Sequence, residues 1–406
     1  QTGLPGPART LLILLAALLI FVGLQLVPLP PALWTSLPGR ERIAEGFEML
    51  GQPLPWLPLS LSPNGTLAAL LWLLPAIAAL LGIVLLGAYR ASILAWTLIG
   101  ITMVSVMVAA MQVAGGSANP LYFYLVTNYG MGVGFFANSN HQATLLLCAL
   151  PFAAALYANR GKSRSAKGGS GLMVALIGVA LIVAVGLAIN GSLAGAGLGV
   201  AVALASILLL RYRSTKPPAW TPIAAAAALI GAVALAFLGP TSGGALIKEL
   251  KFSSTSRQTM VETTLEAATG HLPFGSGVGT FASVYRTYEN PAEVTSTWVN
   301  HAHSDFAEIF LETGIPGILL MIAFFAWWGR RAYTVWAEAE RPDAFARAGV
   351  IASAAVIAHS LVDYPLRTAA ISTLFAICLA LMAQPRPAHR ARAESGEKEE
   401  VRHLSA

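Results

Sequence analysis

Acidic residues and thiols are both scarce in this chain. Its 406 residues include three aspartates, Asp305, Asp343 and Asp363, and two cysteines, Cys148 and Cys378. With the aspartates so far apart, there is no Asp-x-Asp pair of the kind that presents Mg²⁺ to a nucleotide diphosphate. Each cysteine sits inside an apolar run, where a thiol behaves as a small buried hydrophobe, so neither a disulfide framework nor a thiolate metal site follows. Charged residues make up only 11% of the chain, against about 25% in an ordinary soluble protein, which excludes a water-soluble fold of this size.

What the chain has instead is apolar sequence: 56% of it is hydrophobic and its mean hydropathy is +0.67. A bilayer core of about 30 Å needs roughly 20 apolar residues per helix. Such runs lie near residues 10–27, 66–88, 91–113, 140–158, 172–190, 193–210, 220–238, 306–328, 347–362 and 368–384. The expected fold is an all-α polytopic membrane protein of about ten spans, with residues 1–384 as a single membrane domain. Asn190, Gly191 and Ser192 interrupt one long apolar stretch, and the chain should turn there. The chain begins at Gln1, and its first apolar run lacks a small-residue cleavage site, which leaves room for one or two further helices before it.

The net charge of +6 does not point to nucleic acid, because the Lys and Arg sit in short loops between apolar runs, as membrane topology requires. Arg160, Lys162, Arg164 and Lys167 form one basic loop, Arg211, Arg213 and Lys216 a second, and Arg330 and Arg331 open a third. These loops alternate correctly if both termini are cytoplasmic. The opposite face then receives residues 28–64, 114–139, the large polar loop segment 239–302, and the short turn 363–367. Residues 385–406 are charged, lack apolar residues to bury, and are expected to form a disordered cytoplasmic tail. In the first outer loop, prolines and tryptophans from Val27 and from Pro53 read as interfacial packing, with a substrate-guiding surface as the alternative.

Chemistry concentrates at HAHSDFAEIFLETGIPG, from His301. If the segment is helical, His301, Asp305, Glu308 and Glu312 share one face. Ionisable groups at membrane depth face a watery cavity or a partner; the plainer reading is a polar helix start, with Ser304 as its cap and Asp305 favoured by the helix dipole. A zinc site at His301-x-His303 is a further reading, although two-residue spacing suits a loop or strand better than a helix and no third histidine is near in sequence. Upstream, HLPFGSGVGTFASVYRTYEN from His271 has glycines at 275, 277 and 279. No strand and helix bracket them as a dinucleotide fingerprint requires, so they read as a structured loop, or one that shapes a cavity. FFANSNHQA from Phe135 and HSLVDYPLR from His359 bring further polar groups to the same face. Asn138, Asn140, His359, Asp363 and Arg367 are each ordinary as helix-end groups; together they point to a cavity open to that side.

In this order the residues resemble the O-antigen ligase and O-antigen polymerase family of bacterial envelope glycan enzymes. The resemblance covers about residues 130–385. It rests on Phe136-x-Asn138-x-Asn140, on Arg257 followed by the glycine run from Pro273, on the His-Ser helix entry with Glu312-x-Gly314, and on the Asp363-x-Pro-Leu turn. It implies a membrane glycosyltransferase of the bacterial inner membrane, active on its periplasmic face; with no Asp-x-Asp pair present, metal-independent chemistry without a cofactor is the simpler expectation. A glycan would pass from an undecaprenyl-diphosphate donor to a hydroxyl of an acceptor glycan or lipid A core, within a membrane lipid environment. A chain-length regulator would accompany a polymerase. By motif position His303 is the general base, with Asp305 or Glu308 as its orienter. Arg257 is matched to the diphosphate. Arg286, Arg367, His301, Asn138 and Asn140 are further substrate-binding candidates. One departure stands out: the family often has Ser-Arg after the fifth span, where this chain has Ser192-Leu193. Either another arginine replaces that contact, or donor binding differs. A transporter or flippase for a polar or lipid-linked substrate is the alternative function, and a metal-dependent intramembrane hydrolase is a third.

Overall fold

The computed structural model describes residues 4–87, 89–159, 166–211, 245–292, 294, 298–338 and 342–384. Apart from one two-stranded ribbon, the regular structure among them is helical. In chain order the helices are α1 (Gly6–Leu24), α2 (Pro31–Trp34), α3 (Glu41–Met49), α4 (Pro63–Leu81, continued by one π-helical turn), α5 (Ala91–Gly115), α6 (Ser139–Ala158) and α7 (Ala166–Asn190). There follow α8 (Leu193–Arg211), α9 (Ala245–Thr269), α10 (Phe281–Tyr288), α11 (Asp305–Ala337), α12 (Ala344–His359) and α13 (Ala369–Ala383).

Among the described residues, seven helices are long and apolar enough to cross a membrane: α1, α4 with its π turn, α5, α6, α7, α8 and α11. Helices α12 and α13 are apolar but shorter. These nine match nine of the expected spans. The span near 220–238 lies outside the described residues, as do Arg160, Lys162, Arg164, Arg213, Lys216 and the tail 385–406. The turn at Asn190 is present: Gly191 takes φ +73°, and the buried Asn190 amide donates to the carbonyls of Gly132 and Ser139 at 3.1 and 2.6 Å.

The bundle is built around α6, most of whose residues are buried, and which packs against α5, α7, α8 and α12. Alanines at 143, 149, 153 and 155 let the neighbouring backbones come close, the usual basis of helix association in lipid. Cys148 and Cys378 are fully buried free thiols in this packing.

Segment 239–302, expected as a loop, holds two helices. Helix α9 runs for 25 residues of polar helix-forming sequence without an internal proline or glycine. Its last turns bury Ala267 and Ala268 against Phe281, Val284, Tyr285 and Leu311, so this polar segment is docked on the start of α11. In the first outer loop, Pro28–Leu29 (β1) pairs antiparallel with Leu57–Pro58 (β2). Trp34 is completely buried and donates to the Pro55 carbonyl at 2.8 Å, whereas Trp56 stays exposed.

Helix α11 is broken near its start, and the break positions the site. Pro316 has no N–H to offer the Glu312 carbonyl, and Ile315 turns its own N–H to the Pro273 carbonyl at 2.8 Å. The two carbonyls freed in this way, of Leu311 and Glu312, accept instead from Ser276 N at 2.9 Å and Gly277 N at 3.0 Å. The glycine run is therefore sewn into the helix break by backbone hydrogen bonds. Gly314 sits at the break with φ 55° and ψ −145°; a Cβ there would come within 2.2 Å of the Pro273 carbonyl oxygen. Gly275, at φ +79°, would likewise place a Cβ 2.6 Å from the Glu312 backbone. These are requirements that only glycine meets, and they settle the run as a structured loop.

Candidate active site

The polar ends of α6, α11 and α12 and the turn that follows α12 converge on one carboxylate. Asp363, fully buried, follows the C-terminus of α12. It accepts the Asn138 amide at 3.3–3.4 Å, the Asn140 amide at shorter range, and the Tyr364 N–H at 2.8 Å. Asn138 is the N-cap of α6, taking the Asn140 N–H on its side-chain oxygen at 2.8 Å. The Ser192 hydroxyl donates to Asn140 Oδ1 at 2.6 Å, which tethers the α7–α8 turn to the same network. The Leu193 side chain, at the position where the resemblance called for arginine, is exposed.

Two histidines face Asp363. His303 Nδ1 lies 3.3 Å from Asp363 Oδ1 and His141 Nε2 3.8 Å from the same atom. Burial alone would raise the Asp363 carboxyl, but the contact with His303 and the charges of His141 and Arg257 outweigh it, holding the carboxyl well below the ordinary range. His303 has φ 53° and is the one non-glycine residue with positive φ among the described residues. Backbone in that region costs free energy that surrounding structure must offset, and it gathers at functional sites. Tyr364 stands between the rings, 4.1 Å from His301, 5.1 Å from His303 and 4.9 Å from His141 by centroid. Its hydroxyl is pushed upward by burial and by the Asp363 charge.

A second cluster lies on the first turns of α11. Ser304 caps the helix, accepting from Ala307 N at 3.4 Å, so His301 precedes the helix and does not lie on its face as a helical reading would have it; His303 precedes it too. Asp305, Glu308 and Glu312 do share a face, and all three meet Arg367: Nη1 to Glu312 at 2.8 Å, Nη2 to Glu308 at 3.5 Å and Nε to Asp305 at 3.6 Å. The carboxylates hold Arg367 protonated even though burial acts to lower it. Each carboxylate has a second attachment. Asp305 accepts from the Ser360 hydroxyl at 2.7 Å and Leu366 N at 3.2 Å, Glu308 from Ala302 N at 2.8 Å with His301 Nδ1 at 3.1 Å, and Glu312 from Gly279 N at 2.9 Å.

His303 is thus paired with Asp363, and neither Asp305 nor Glu308, the expected orienters, touches it. His301 and His303 address different carboxylates and do not converge on a shared point; among the described residues no three His, Cys, Asp or Glu are placed to hold a metal ion. Arg257, on α9, has no hydrogen bond or ion pair among the described residues, yet its charge reaches both Asp363 and His359. Arg286 is elsewhere engaged, with its guanidinium 3.1 Å over the Trp298 ring. Sequence reasoning does not single out His141 or Tyr364, and it places Asp363 in the Asp-x-Pro-Leu turn and among the polar helix ends without giving it a partner. The one signal that set Asp363 apart was rarity, since the chain has only three aspartates in 406 residues.

The arrangement offers an imidazole against a buried carboxylate, a guanidinium that has no ion pair among the described residues, and a buried ion cluster. Residues 178–322 match the model of the protein family described as O-Antigen ligase. This stretch is just over a third of the chain and takes in Ser192, Arg257, the glycine run, His303 and Glu312, while Asn138, Asn140, Asp363 and Arg367 lie beyond it. Over this stretch the chain is similar to that family, and its long apolar helices are those of a multi-pass membrane protein. No curated protein matches the chain.

Proposed function

We propose that this protein transfers a glycan from an undecaprenyl-diphosphate donor to a hydroxyl of an acceptor glycan or lipid A core, at the periplasmic face of the bacterial inner membrane. The observation that carries the reading is the His303–Asp363 contact of 3.3 Å through Nδ1. A proton kept on Nδ1, the nitrogen that faces the carboxylate, would leave the Nε2 lone pair for a substrate proton.

The acceptor hydroxyl oxygen attacks the anomeric carbon of the donor sugar. The bond from that carbon to the diphosphate oxygen breaks, and its electron pair leaves with the diphosphate. His303 Nε2 takes the hydroxyl proton as the new bond forms, and Asp363 stabilises the imidazolium. A lipid diphosphate is already a good leaving group, so the remaining task is to stabilise its charge. Arg257 serves this role, because it alone of the three candidate arginines is uncommitted among the described residues. Arg367 is then a positioning residue that gathers the helix face, and Arg286 a structural one.

The reading is tested with purified protein in lipid nanodiscs, supplied with a polyprenyl-diphosphate-linked saccharide and an acceptor glycan. Extension of the acceptor, abolished in His303→Gln, is the expected result. Turnover of the His303→Gln protein at the wild-type rate would remove His303 from the mechanism.

A further inference from the structure

Residues 91–159 contain no Asp, Glu, Lys or Arg, and the part joining α5 to α6, residues 116–138, displays apolar side chains outward. Leu125 is 96% and Val126 85% exposed, and Phe123, Tyr124 and Tyr129 are about half exposed beside them. Such a connection between spans is ordinarily polar, since it meets water.

This one is also rigidly built. The buried Gln112 side chain of α5 donates to the Leu121 and Gly134 carbonyls at 2.8 and 3.0 Å and accepts from Val133 N and Gly134 N at 3.1 and 2.8 Å. At the tip, the Tyr129 hydroxyl reaches the Tyr124 and Leu125 carbonyls at 3.3 and 3.1 Å, and the Tyr122 hydroxyl donates to Met131 O at 3.0 Å. Carbonyls satisfied inside the loop can leave water without penalty, the condition for irregular backbone at an apolar boundary.

Two connections say what lies against it. On one side the apolar surface continues onto α5, where Ile101, Val104, Met107 and Met111 face outward from a membrane-crossing helix. On the other, Asn128 accepts from Ser139 N at 2.9 Å and donates its own N–H to Ala137 O at 3.2 Å, one residue from Asn138 and its contact with Asp363. A surface running from lipid to the reacting centre, branched-aliphatic at its tip and without charge, suits an isoprenoid chain. A sugar would ask for hydrogen-bonding groups that Leu125 and Val126 lack.

We infer that the loop 119–136 is the docking surface for the polyprenyl tail of the donor, delivering the diphosphate to the Asn138–Asp363 end of the site. The inference rests on the proposed glycan transfer for the identity of the lipid.

It is tested in two independent ways on the full chain in nanodiscs. In the first, KM is compared for a long-chain polyprenyl-diphosphate saccharide and a short-chain, water-soluble one. The double variant L125D/V126D should raise the long-chain KM about tenfold, leaving kcat and the short-chain KM unchanged. Equal effects on both donors, no effect on either, or a change confined to the acceptor KM would each overturn the inference; absence of transfer by the wild type would instead overturn the proposed function. In the second, a nitroxide is attached to Leu125→Cys, the native cysteines being fully buried. The label should be reached by lipid-soluble oxygen, shielded from a water-borne nickel complex, and immobilised by long-chain polyprenyl diphosphate without any turnover. A water-exposed label, or one indifferent to the polyprenyl compound, refutes the docking surface whatever the enzyme does.

Discussion

His303 and Asp363 stand 3.3 Å apart, Nδ1 to Oδ1, although sixty residues of chain separate them and they belong to the ends of different helices. The carboxylate is held by two asparagine amides and a backbone N–H, and the imidazole by a strained backbone angle, so the relationship is fixed from both sides.

Replacing Asp363 by Asn keeps the volume but removes the charge that orients His303. Transfer should fall by roughly 10²–10⁴-fold in kcat, with donor KM little changed, as measured by steady-state kinetics on protein that still elutes as a single species.

The depressed Asp363 carboxyl has a pH signature. A group whose folded pKa lies below its ordinary 3.8 adds stability that is fully present above that value and is lost as pH falls through the folded one. The difference in Tm between wild type and Asp363→Asn should therefore be level from about pH 5 to 8 and shrink below about pH 4. Thermal scans of the solubilised protein measure it, and a difference growing toward acid would contradict the assignment.

Arg367→Met leaves three carboxylates facing one another without a counter-ion. Removing one side of a buried ion cluster costs about 3–5 kcal/mol, so this variant should be poorly expressed or strongly lowered in Tm. Adding Glu312→Gln, which removes the closest of the three charges, should recover part of the loss.

Arg257→Ala should raise the donor KM by ten- to a hundred-fold, the scale of a lost charge-assisted hydrogen bond of about 1.5–3 kcal/mol. Arg286→Ala, by contrast, should leave KM within twofold of wild type. Chelation with EDTA is expected to leave turnover unchanged, which the same assay checks.

Gly314→Ala forces a Cβ to within 2.2 Å of the Pro273 carbonyl and a side chain onto φ 55°. It should destabilise by at least about 1–3 kcal/mol and disturb transfer through the displaced glycine run. Gly178→Ala, with nothing within 4 Å, should be neutral in the same thermal assay.

The spans were legible because their signal is local: a run of apolar residues of bilayer length ends where polar groups begin. The helices within 239–302 were not, since polar sequence gives hydropathy no contrast and α9 is placed by docking Ala267 and Ala268 on α11. His303, Asn138 and Asn140 could be picked out by spacing within short segments. The pairing of His303 with Asp363 could not, because Asp305 and Glu308 are nearer in sequence and only the folded chain turns them toward Arg367. Arg367 itself looked like a substrate ligand by position; its three partners, out of reach on a linear reading, occupy it first. Likewise nothing local in the sequence signalled that Arg286 would lie on Trp298.

The break in α11 also bears on how the chain enters its membrane. At 1.5 Å per residue, the helix beyond Pro316 is roughly 30 Å long, enough by itself to cross the hydrocarbon. The turns before Gly314, with Asp305, Glu308 and Glu312, need not be drawn through the oily centre during synthesis. They can remain at the water's edge until the later turn brings Arg367 to them. The order of events would follow from this one discontinuity: the apolar part inserts first, and the acidic part is closed over afterwards, when the last two helices arrive.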